Sequence, residues 1–505
     1  MQRRQFLKSM AIVGASSVLP ASATLLTAPV APAMVNVKQL FNDALAVHPE
    51  LIGFANVERN FEPQTLSLEG RIPADLHGVF YRNGPAKHER GAIRYQHAFE
   101  GDGMLQRFEI KNQNIVHRGQ FINTPKFSQE QQAQQFVYSG PETKIAHALP
   151  VVTPDTVNTA NTNIIAVGDD LWALWEAGSP TKIDRDSMQF QQQVHLGAES
   201  KYANTLQGLP FSAHPKVDPS GDIWNFGLHP SGNIVLYHLA ANGNVKNAGV
   251  INTQYRGAML HDFLITDKHL LIILPSLFTD KSIDGHFEQI KYNTDIPMRV
   301  LVISKQSLTV IKHYELPAGF VFHYGNAWEE INGTIHFDAS LYPDVNVLHK
   351  LSNVMQGKIE QASTKAKTAL ITLHTEGHYS MQIMPGTSEF PRVCDHVVGL
   401  KNHYLYHLSA KTNSLWSDTL SSLNTDTGAE QHYHFGEDYL VEEHISVCPK
   451  AIENTGYLIG TALHVPTKRT CLNIFAVNDL SSGPIARAWL PYHLPLGFHG
   501  NFMPS

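Results

Sequence analysis

From Glu69 onward the sequence is a succession of short apolar or β-branched runs, each followed by a turn signal. Residues 78–82 precede Asn83-Gly84-Pro85, and residues 163–167 precede Gly168-Asp169-Asp170. Such runs are typical of β-strands, and few long helical periods separate them. The pattern therefore predicts an all-β barrel, sandwich or propeller. We favour a propeller, because it arranges many strands around one axis on which several strand ends can converge.

Helical patterns are predicted for residues 37–46, for residues 128–136 and for a polar run from 348 to 368, which we interpret as a surface insertion. No Pro/Ser-rich linker divides the chain, so residues 34–505 are predicted to form a single domain. Three widely separated cysteines without CxxC spacing argue against a zinc knuckle and allow at most one disulfide. They are Cys394, Cys448 and Cys471.

The N-terminal residues have the order of an export signal. Two arginines at positions 3 and 4 precede a weakly apolar run over residues 10–19 and small residues that end at Ala23. This order is that of a twin-arginine signal peptide over residues 1–23, with an alternative boundary at residue 33. The apolar run is too short to cross a bilayer, and no later apolar segment is long enough. The mature protein is therefore predicted to be periplasmic, with no transmembrane span.

The overall composition fits a globular protein, because 43% of the residues are apolar and only 16% are charged. The formal net charge is −7, and no basic run stands out beyond the first eight residues. This balance argues against a nucleic-acid partner.

Four histidines share one context, a lone imidazole at the edge of an apolar segment beside Gly, Pro or Asp. They are His214, His261, His323 and His499. Since neutral imidazoles bind metal ions, we hypothesise that the four form one metal site. The chain holds 28 histidines, and most of them must be ordinary surface or core residues. A set of four imidazoles suits Fe, Cu, Zn or Ni and leaves the ion Lewis-acidic, because no carboxylate neutralises its charge.

A histidine that binds a metal usually donates its other ring N–H to a carboxylate or a carbonyl. Glu176, Glu389 and Glu443 lie in similar strand-end contexts, so we predict that they hold these outer nitrogens. Glu442 directly precedes Glu443 and is a rival for the same role.

At these residues the chain resembles the carotenoid cleavage oxygenases, the family that also holds retinoid-cycle isomerases and bacterial stilbene-cleaving dioxygenases. The shared motifs follow the family's order over nearly the whole mature chain. They cover residues 78–85, 97–105, 213–219, 261–263, 322–329, 389–392 and 497–500. Two places depart from the family. Glu100 stands where relatives usually have Asp, and where relatives commonly read Glu-Pro-x-Phe-Val-Pro, this chain reads Glu443-His444-Ile445-Ser446-Val447-Cys448-Pro449.

The resemblance implies a seven-bladed β-propeller with a cap of loops and helices, and Fe(II) on its axis. It implies that the iron is held by His214, His261, His323 and His499, and that Glu176, Glu389 and Glu443 bond to three of these ligands. Dioxygen then binds beside an alkene, and both oxygen atoms enter two carbonyl products. No protein acid or base is required. The expected partners are dioxygen and a small apolar conjugated substrate, and a peripheral contact with a membrane is a further expectation.

The first expected substrate is a carotenoid or apocarotenoid, and the alternative is a phenolic stilbene. Stilbene-cleaving relatives use a Tyr and Lys pair to hold the phenol, and Tyr95 and Lys126 are candidate counterparts. A packed tyrosine and a solvated lysine are an equally open interpretation of these two residues. Two other functions are weighed: an isomerase on the same iron, and a binding propeller whose histidines serve only for packing.

Overall fold

The computed structural model describes residues 36–198, 200–359, 365–412 and 415–505. Residues Val37–Ser505 form one compact unit. The predicted signal peptide over residues 1–23, with its alternative boundary at residue 33, lies outside the described residues, and its processing remains a prediction.

Seven antiparallel sheets of four or five strands form the blades of a seven-bladed β-propeller, so the expected fold class is confirmed. In sheet order, the first blade contains β1 (Phe61–Thr65), β7 (Asn114–Phe121), β6 (Asp102–Lys111), β3 (Gly78–Lys87) and β35 (His499–Pro504). The second contains β11 (Phe190–Gln193), β10 (Thr181–Ile183), β9 (Asp170–Leu174) and β8 (Asn163–Val167). The third contains β12 (Lys216–Val217), β13 (Ile223–Leu228), β14 (Asn233–Leu239) and β15 (Val245–Asn252).

The fourth blade contains β16 (Leu264–Ile265), β17 (His269–Leu274), β20 (Met298–Ser304) and β21 (Val310–Leu316). In the fifth, β22 (Phe320–Val321) and β23 (Ala327–Glu329) both pair with β24 (Ile335–Tyr342), which is followed by β25 (Lys367–Leu373) and β26 (Tyr379–Ile383). The sixth contains β27 (Glu389–Arg392), β28 (Tyr404–Ser409), β29 (Thr419–Asn424) and β30 (Glu430–His434). The seventh contains β2 (Ser67–Gly70), β34 (Ala486–Trp489), β33 (Arg469–Ala476), β32 (Tyr457–His464) and β31 (Tyr439–Val447).

Two short ribbons complete the strands of the described chain. They are β4 (Glu89–Arg90) with β5 (Ile93–Arg94), and β18 (Leu277–Thr279) with β19 (Ile290–Tyr292). Central strands of the blades contain runs of consecutive buried apolar residues, not alternating apolar and polar ones. In β17, for example, five consecutive residues after His269 are buried, because the sheet is covered on both faces.

Both ends of the described chain close the ring of blades. In the first blade, β3 pairs with the C-terminal strand β35 over residues 78–83. In the seventh blade, the early strand β2 pairs with β34.

A buried polar network joins the first and seventh blades: the Arg82 guanidinium on β3 contacts the Glu442 carboxylate on β31 and the Pro495 carbonyl. The same carboxylate accepts hydrogen bonds from the Thr461 hydroxyl at 2.6 Å and the Gly497 N–H at 2.5 Å.

The first and last α-helices of the described chain share one apolar cluster that forms a cap beside the propeller. The described residues contain four α-helices, which are α1 (Val37–Val47), α2 (Pro125–Ala133), α3 (Ala203–Leu206) and α4 (Asn346–Met355). They also contain short 3-10 helices at Pro49–Phe54, Ala98–Glu100, Pro154–Val157, Asp395–Val397 and Leu480–Ser482. None of the helices in the described part is long and apolar enough to cross a membrane.

The first predicted helix is confirmed as α1, whereas α2 begins earlier than predicted, at Pro125. Its start is set by Thr124, whose hydroxyl accepts the Phe127 N–H at 3.1 Å, and by proline at the first helical position. The interpretation of residues 348–368 as a surface insertion was wrong for the described residues 348–355. Helix α4 buries Leu348 and Leu351 in the same apolar cluster as Phe41, because its apolar residues recur at helical spacing.

The cysteines form one disulfide, between Cys394 after β27 and Cys448 after β31, while Cys471 is buried and free. This matches the limit of one disulfide that the sequence sets.

Replacing Glu442 should test whether the buried network holds the ring closed. Glu442→Gln leaves the Arg82 charge buried without its counter-ion, so we expect the free energy of unfolding to fall by about 3–5 kcal/mol. The control is Glu109→Gln, which removes a partly exposed partner of Arg107 and should cost less than about 1 kcal/mol. Chemical denaturation of both variants measures the difference, and equal small losses would show that the network does not close the ring.

Candidate metal centre

The four predicted histidines lie where the chain enters or leaves innermost strands of different blades. His214 lies two residues before β12, and His261 lies three residues before β16. His323 lies between β22 and β23, and His499 is the first residue of β35. The chain reaches the axis at these points, so histidines that are far apart in the sequence come together in space.

The structure brings all four side chains together. One ring nitrogen of each histidine lies within 4.8 Å of those of the others, and all four residues are buried. The Nε2 atoms of His214 and His261 face each other at 2.8 Å. The His499 ring centroid lies 4.7 Å from that of His214 and 5.0 Å from that of His323. The predicted convergence of the four imidazoles is thus present in the fold.

Each of the three predicted glutamates lies against the outer nitrogen of one histidine. Glu389 Oε2 accepts from His323 Nδ1 at 2.6 Å, and Glu443 Oε1 accepts from His499 Nδ1 at 2.9 Å. Glu176, which follows β9, places Oε1 2.9 Å from His261 Nδ1, but the ring N–H does not point at this oxygen. The first two contacts are therefore aligned hydrogen bonds, and the third is a close electrostatic contact.

The adjacent residues Glu442 and Glu443 have separate roles, because a β-bulge interrupts β31. The register between β31 and β32 shifts between Val441 and His444. In a regular strand neighbouring side chains face opposite sides, whereas a bulge lets both carboxylates turn inward. Glu443 faces His499, while Glu442 closes the ring of blades through Arg82. The structure thus places Glu443, and not its rival, beside a predicted ligand.

A second irregularity lies in β27, whose register with β28 shifts between Glu389 and Arg392. Phe390 has a φ of 51°, in the left-handed region, and its N–H donates to Glu389 Oε2 at 2.8 Å. This local bend positions Glu389 against His323.

Arg392 is a functional candidate that the sequence interpretation missed. Its Nε and Nη2 donate to the two oxygens of Glu443 at 2.8 Å and 3.0 Å, and Nη2 also reaches the Gly500 carbonyl at 3.0 Å. This paired contact fixes the carboxylate that holds His499. The shared motif over residues 389–392 contained Arg392, but its spacing gave no sign that it meets a glutamate on another blade.

Burial and the carboxylates set the charge of the cluster. Burial, followed by the neighbouring imidazoles, holds the pKa of His214 well below its ordinary value. Burial also lowers the pKa of His499 to about 4, against the opposing effect of Glu443. For His261, burial lowers the pKa but Glu176 outweighs it, so the pKa is raised. Burial would raise the pKa of Glu389, but the charge and hydrogen bond of His323 reverse the shift and lower it.

The donor set fits a metal ion. His323 Nε2 is buried and has no hydrogen-bond partner among the described residues. His214 and His261 point nitrogens at each other, and at most one of these two can carry a proton between them. A cation at the common point would pair with these inward nitrogens, and imidazole ligands suit Fe, Cu, Zn and Ni. We propose that the four histidines are the ligands of one such ion.

Aromatic side chains surround the cluster. Phe99 stacks parallel to His261 at a centroid distance of 6.5 Å, and Phe322 meets the same imidazole edge-on at 5.0 Å. Phe390 stacks on His323 at 4.9 Å. Phe322 also belongs to the cap cluster, the apolar cluster that contains Phe41 and α4. On the side of the cap cluster, the histidines therefore face the apolar rings of Phe99 and Phe322.

Tyr95 and Lys126 are brought together as well, with the Lys126 ammonium donating to the Tyr95 hydroxyl at 2.9 Å. The interpretation of Lys126 as a solvated lysine was wrong, because its residue is only 4% exposed. The same ammonium donates to Asp102 at 2.7 Å and to Glu130 at 2.8 Å, so its three N–H groups are used. Contact of this pair with a substrate phenol stays a prediction.

Removing one outer carboxylate should weaken metal binding without removing a ligand. We expect Glu389→Gln to lower metal affinity by about 10–100-fold, because His323 loses the charge that orients and polarises it. Competition with a chelator of known affinity, read by metal content, measures the change. Glu330→Gln is the matched control, since Glu330 contacts His336 at 2.9 Å on the surface and away from the cluster. Equal affinities of both variants and the wild type would remove Glu389 from the site.

The chain is similar to known proteins over most of its length. A family model described as retinal pigment epithelial membrane protein matches residues 54–504. Apocarotenoid-15,15'-oxygenase of Synechocystis sp. is 27% identical over 486 residues, which cover 90% of this chain and 95% of the relative. Lignostilbene-alpha,beta-dioxygenase isozyme III of Sphingomonas paucimobilis is 24% identical, and the match covers 91% of this chain and 98% of the relative.

A solved structure gives the same fold. Cobalt-substituted apocarotenoid oxygenase of Synechocystis matches with a TM-score of 0.79 at 24% identity, and covers 90% of this chain and 99% of that chain.

Proposed function

This chain belongs to the carotenoid cleavage oxygenase family, whose model matches it from residue 54 to residue 504, and from this premise we propose that it is a non-haem Fe(II) dioxygenase. The proposed reaction cuts a C=C double bond of a carotenoid or apocarotenoid and yields two carbonyl products. One dioxygen supplies both oxygen atoms, so no further reductant is needed to balance the reaction.

The observation that carries the proposal is the buried ring of four imidazoles whose inward nitrogens face one point. Carboxylates lie against the outer nitrogens of three of them, and the inward group found among the described residues consists of histidines alone. Four neutral ligands leave up to two positions free on an octahedral ion, which is what binding of dioxygen beside an alkene requires. Bound ferrous iron would supply the activation of dioxygen.

The protein's own residues supply orientation and a dry environment. Glu389 and Glu443 hold the imidazoles of His323 and His499 in fixed orientations, and Arg392 holds Glu443. On the cap side, Phe99 and Phe322 offer apolar ring faces and edges, which suit a flat conjugated chain better than a polar substrate. Water has few polar partners there, so a reactive site is protected from it.

A phenolic stilbene is the second candidate substrate. It is favoured by the buried contact of Tyr95 with Lys126 and by the similarity to a lignostilbene dioxygenase. The same structure sets a condition on this candidate. Since Tyr95, Asp102 and Glu130 take all three donors of Lys126, a phenol would have to displace one of these contacts.

Incubation with each substrate class under ¹⁸O-labelled dioxygen tests the reaction. We expect iron-loaded protein to convert an apocarotenoid into two carbonyl products that both carry the label, as mass spectrometry would show before exchange with water. Preference for a phenolic stilbene, lost in Tyr95→Phe, would support the second candidate. Isomerised substrate without label would instead identify an isomerase, and no conversion of either class would contradict the proposal.

The iron content of histidine variants tests the ligand assignment. We expect one iron per wild-type chain and loss of bound iron and of turnover in His323→Ala, because one of four ligands and its buried donor atom are removed. His336→Ala is the control, since His336 bonds Glu330 and Thr372 outside the cluster and should keep its iron. A wild-type protein without stoichiometric iron would favour a binding propeller.

Export through the predicted twin-arginine signal would place this reaction in the periplasm, where the substrate must come from the environment or from a membrane. We retain this location, and peripheral contact with a membrane, as proposals.

A further inference from the structure

A cavity with a mixed polar and apolar wall runs along the propeller axis on the side of the histidines away from the cap. It has a volume of about 450 Å³ and begins at His214, His323 and His499. The chain segments that follow these histidines form the next part of its wall, including Lys216 and residues 324–326. No member of the apolar cap cluster lines it among the described residues. We call this cavity the axial channel.

The wall of the axial channel is charged close to the histidines. Lys216 pairs with Asp262 at 2.9 Å, and Glu443 is held by Arg392 at 2.8 Å. These pairs neutralise each other's charge. Asp395 differs, because its carboxylate makes no hydrogen bond or ion pair with a described residue. Arg392 and His396 act on it only from beyond ion-pair distance, and Arg392 is already paired with Glu443, so the wall keeps negative charge at this carboxylate.

The position of Asp395 is unusual for a carboxylate. Asp395 lines the channel although the residue is partly exposed. Burial in the surrounding protein raises the pKa of its carboxyl, although Arg392 and His396 oppose the shift. An anion that the protein solvates poorly gains from a cation partner.

The outer part of the channel reaches the protein surface. Val217, at the end of β12, lines it and is 40% exposed. Ala166 on β8 also lines it and is exposed, while the other residues of that strand are buried. A small side chain at this point leaves the passage open.

A hydrated cation would therefore pass more easily through the axial channel than through the cap. A hydrated cation would have to lose its water to pass Phe99 and Phe322, which offer no ligand atoms in exchange. A channel of 450 Å³ holds on the order of ten water molecules, each of about 30 Å³, and a metal ion can cross it with much of its hydration kept. A wall with net negative charge also concentrates cations.

We propose that the axial channel is the route by which a divalent metal ion reaches the four histidines, and that the Asp395 carboxylate is its first ligand inside the protein. The inference rests on the proposed metal site, but it concerns a different part of the molecule. Metal would thus arrive from one side of the ring and substrate from the other.

The test is the rate at which the full-length protein, stripped of metal with a chelator, takes up Co²⁺, followed by stopped-flow absorbance. We expect Asp395→Asn to slow uptake by about 10-fold, the lower end of the rate effects of electrostatic focusing. Asp426→Asn is the matched control, since Asp426 is a surface carboxylate near Lys401 and should leave the rate unchanged. Ala166→Trp, which narrows the channel, should also slow uptake. Metal bound at equilibrium should stay at one ion per chain in all variants.

Wild-type uptake rates in both Asp395→Asn and Ala166→Trp would overturn the proposal. Faster uptake in Phe99→Ala, with unchanged rates in the channel variants, would instead send the ion through the cap and overturn it as well. Failure of the metal site itself is distinguishable, because the wild-type protein would then bind no stoichiometric Co²⁺ at any time.

Discussion

The structure depends on one electrostatic constraint: four imidazoles lie within a few ångströms of one another in a buried place where charge is poorly solvated. Burial lowers the pKa of His214 and His499, which favours the neutral form of these two rings, whereas Glu176 raises the pKa of His261. Carboxylates behind the rings supply the negative charge that a bound dication needs without taking up its coordination positions. The same arrangement thus favours metal binding and leaves room for chemistry.

The blades satisfy this constraint by breaking regular strand geometry in two places. A bulge in β31 lets consecutive glutamates turn inward, one towards His499 and the other towards Arg82. A register shift in β27 places Glu389 on His323 and leaves Arg392 to hold Glu443. The residues that support the centre and the residues that close the ring are therefore neighbours, which links the stability of the propeller to the geometry of the site.

Much of this arrangement follows from the sequence. The short apolar runs predicted strands, the histidine contexts predicted the cluster, and the motifs shared with the family gave the number of blades. What local patterns could not give were contacts between blades. The choice between Glu442 and Glu443 depends on a bulge in β31. The role of Arg392 depends on a partner 51 residues away, and α4 is buried because it packs with Phe41 in the cap cluster. Each of these is set by tertiary packing rather than by spacing.

The central claim is that one iron ion is bound at the point shared by the four imidazoles. Diffraction from crystals of the iron-loaded protein, measured on both sides of the iron absorption edge, tests it directly. We expect a single anomalous peak within bonding distance of His214, His261, His323 and His499. A peak elsewhere, or no iron peak at these residues in protein shown to contain iron, would contradict it.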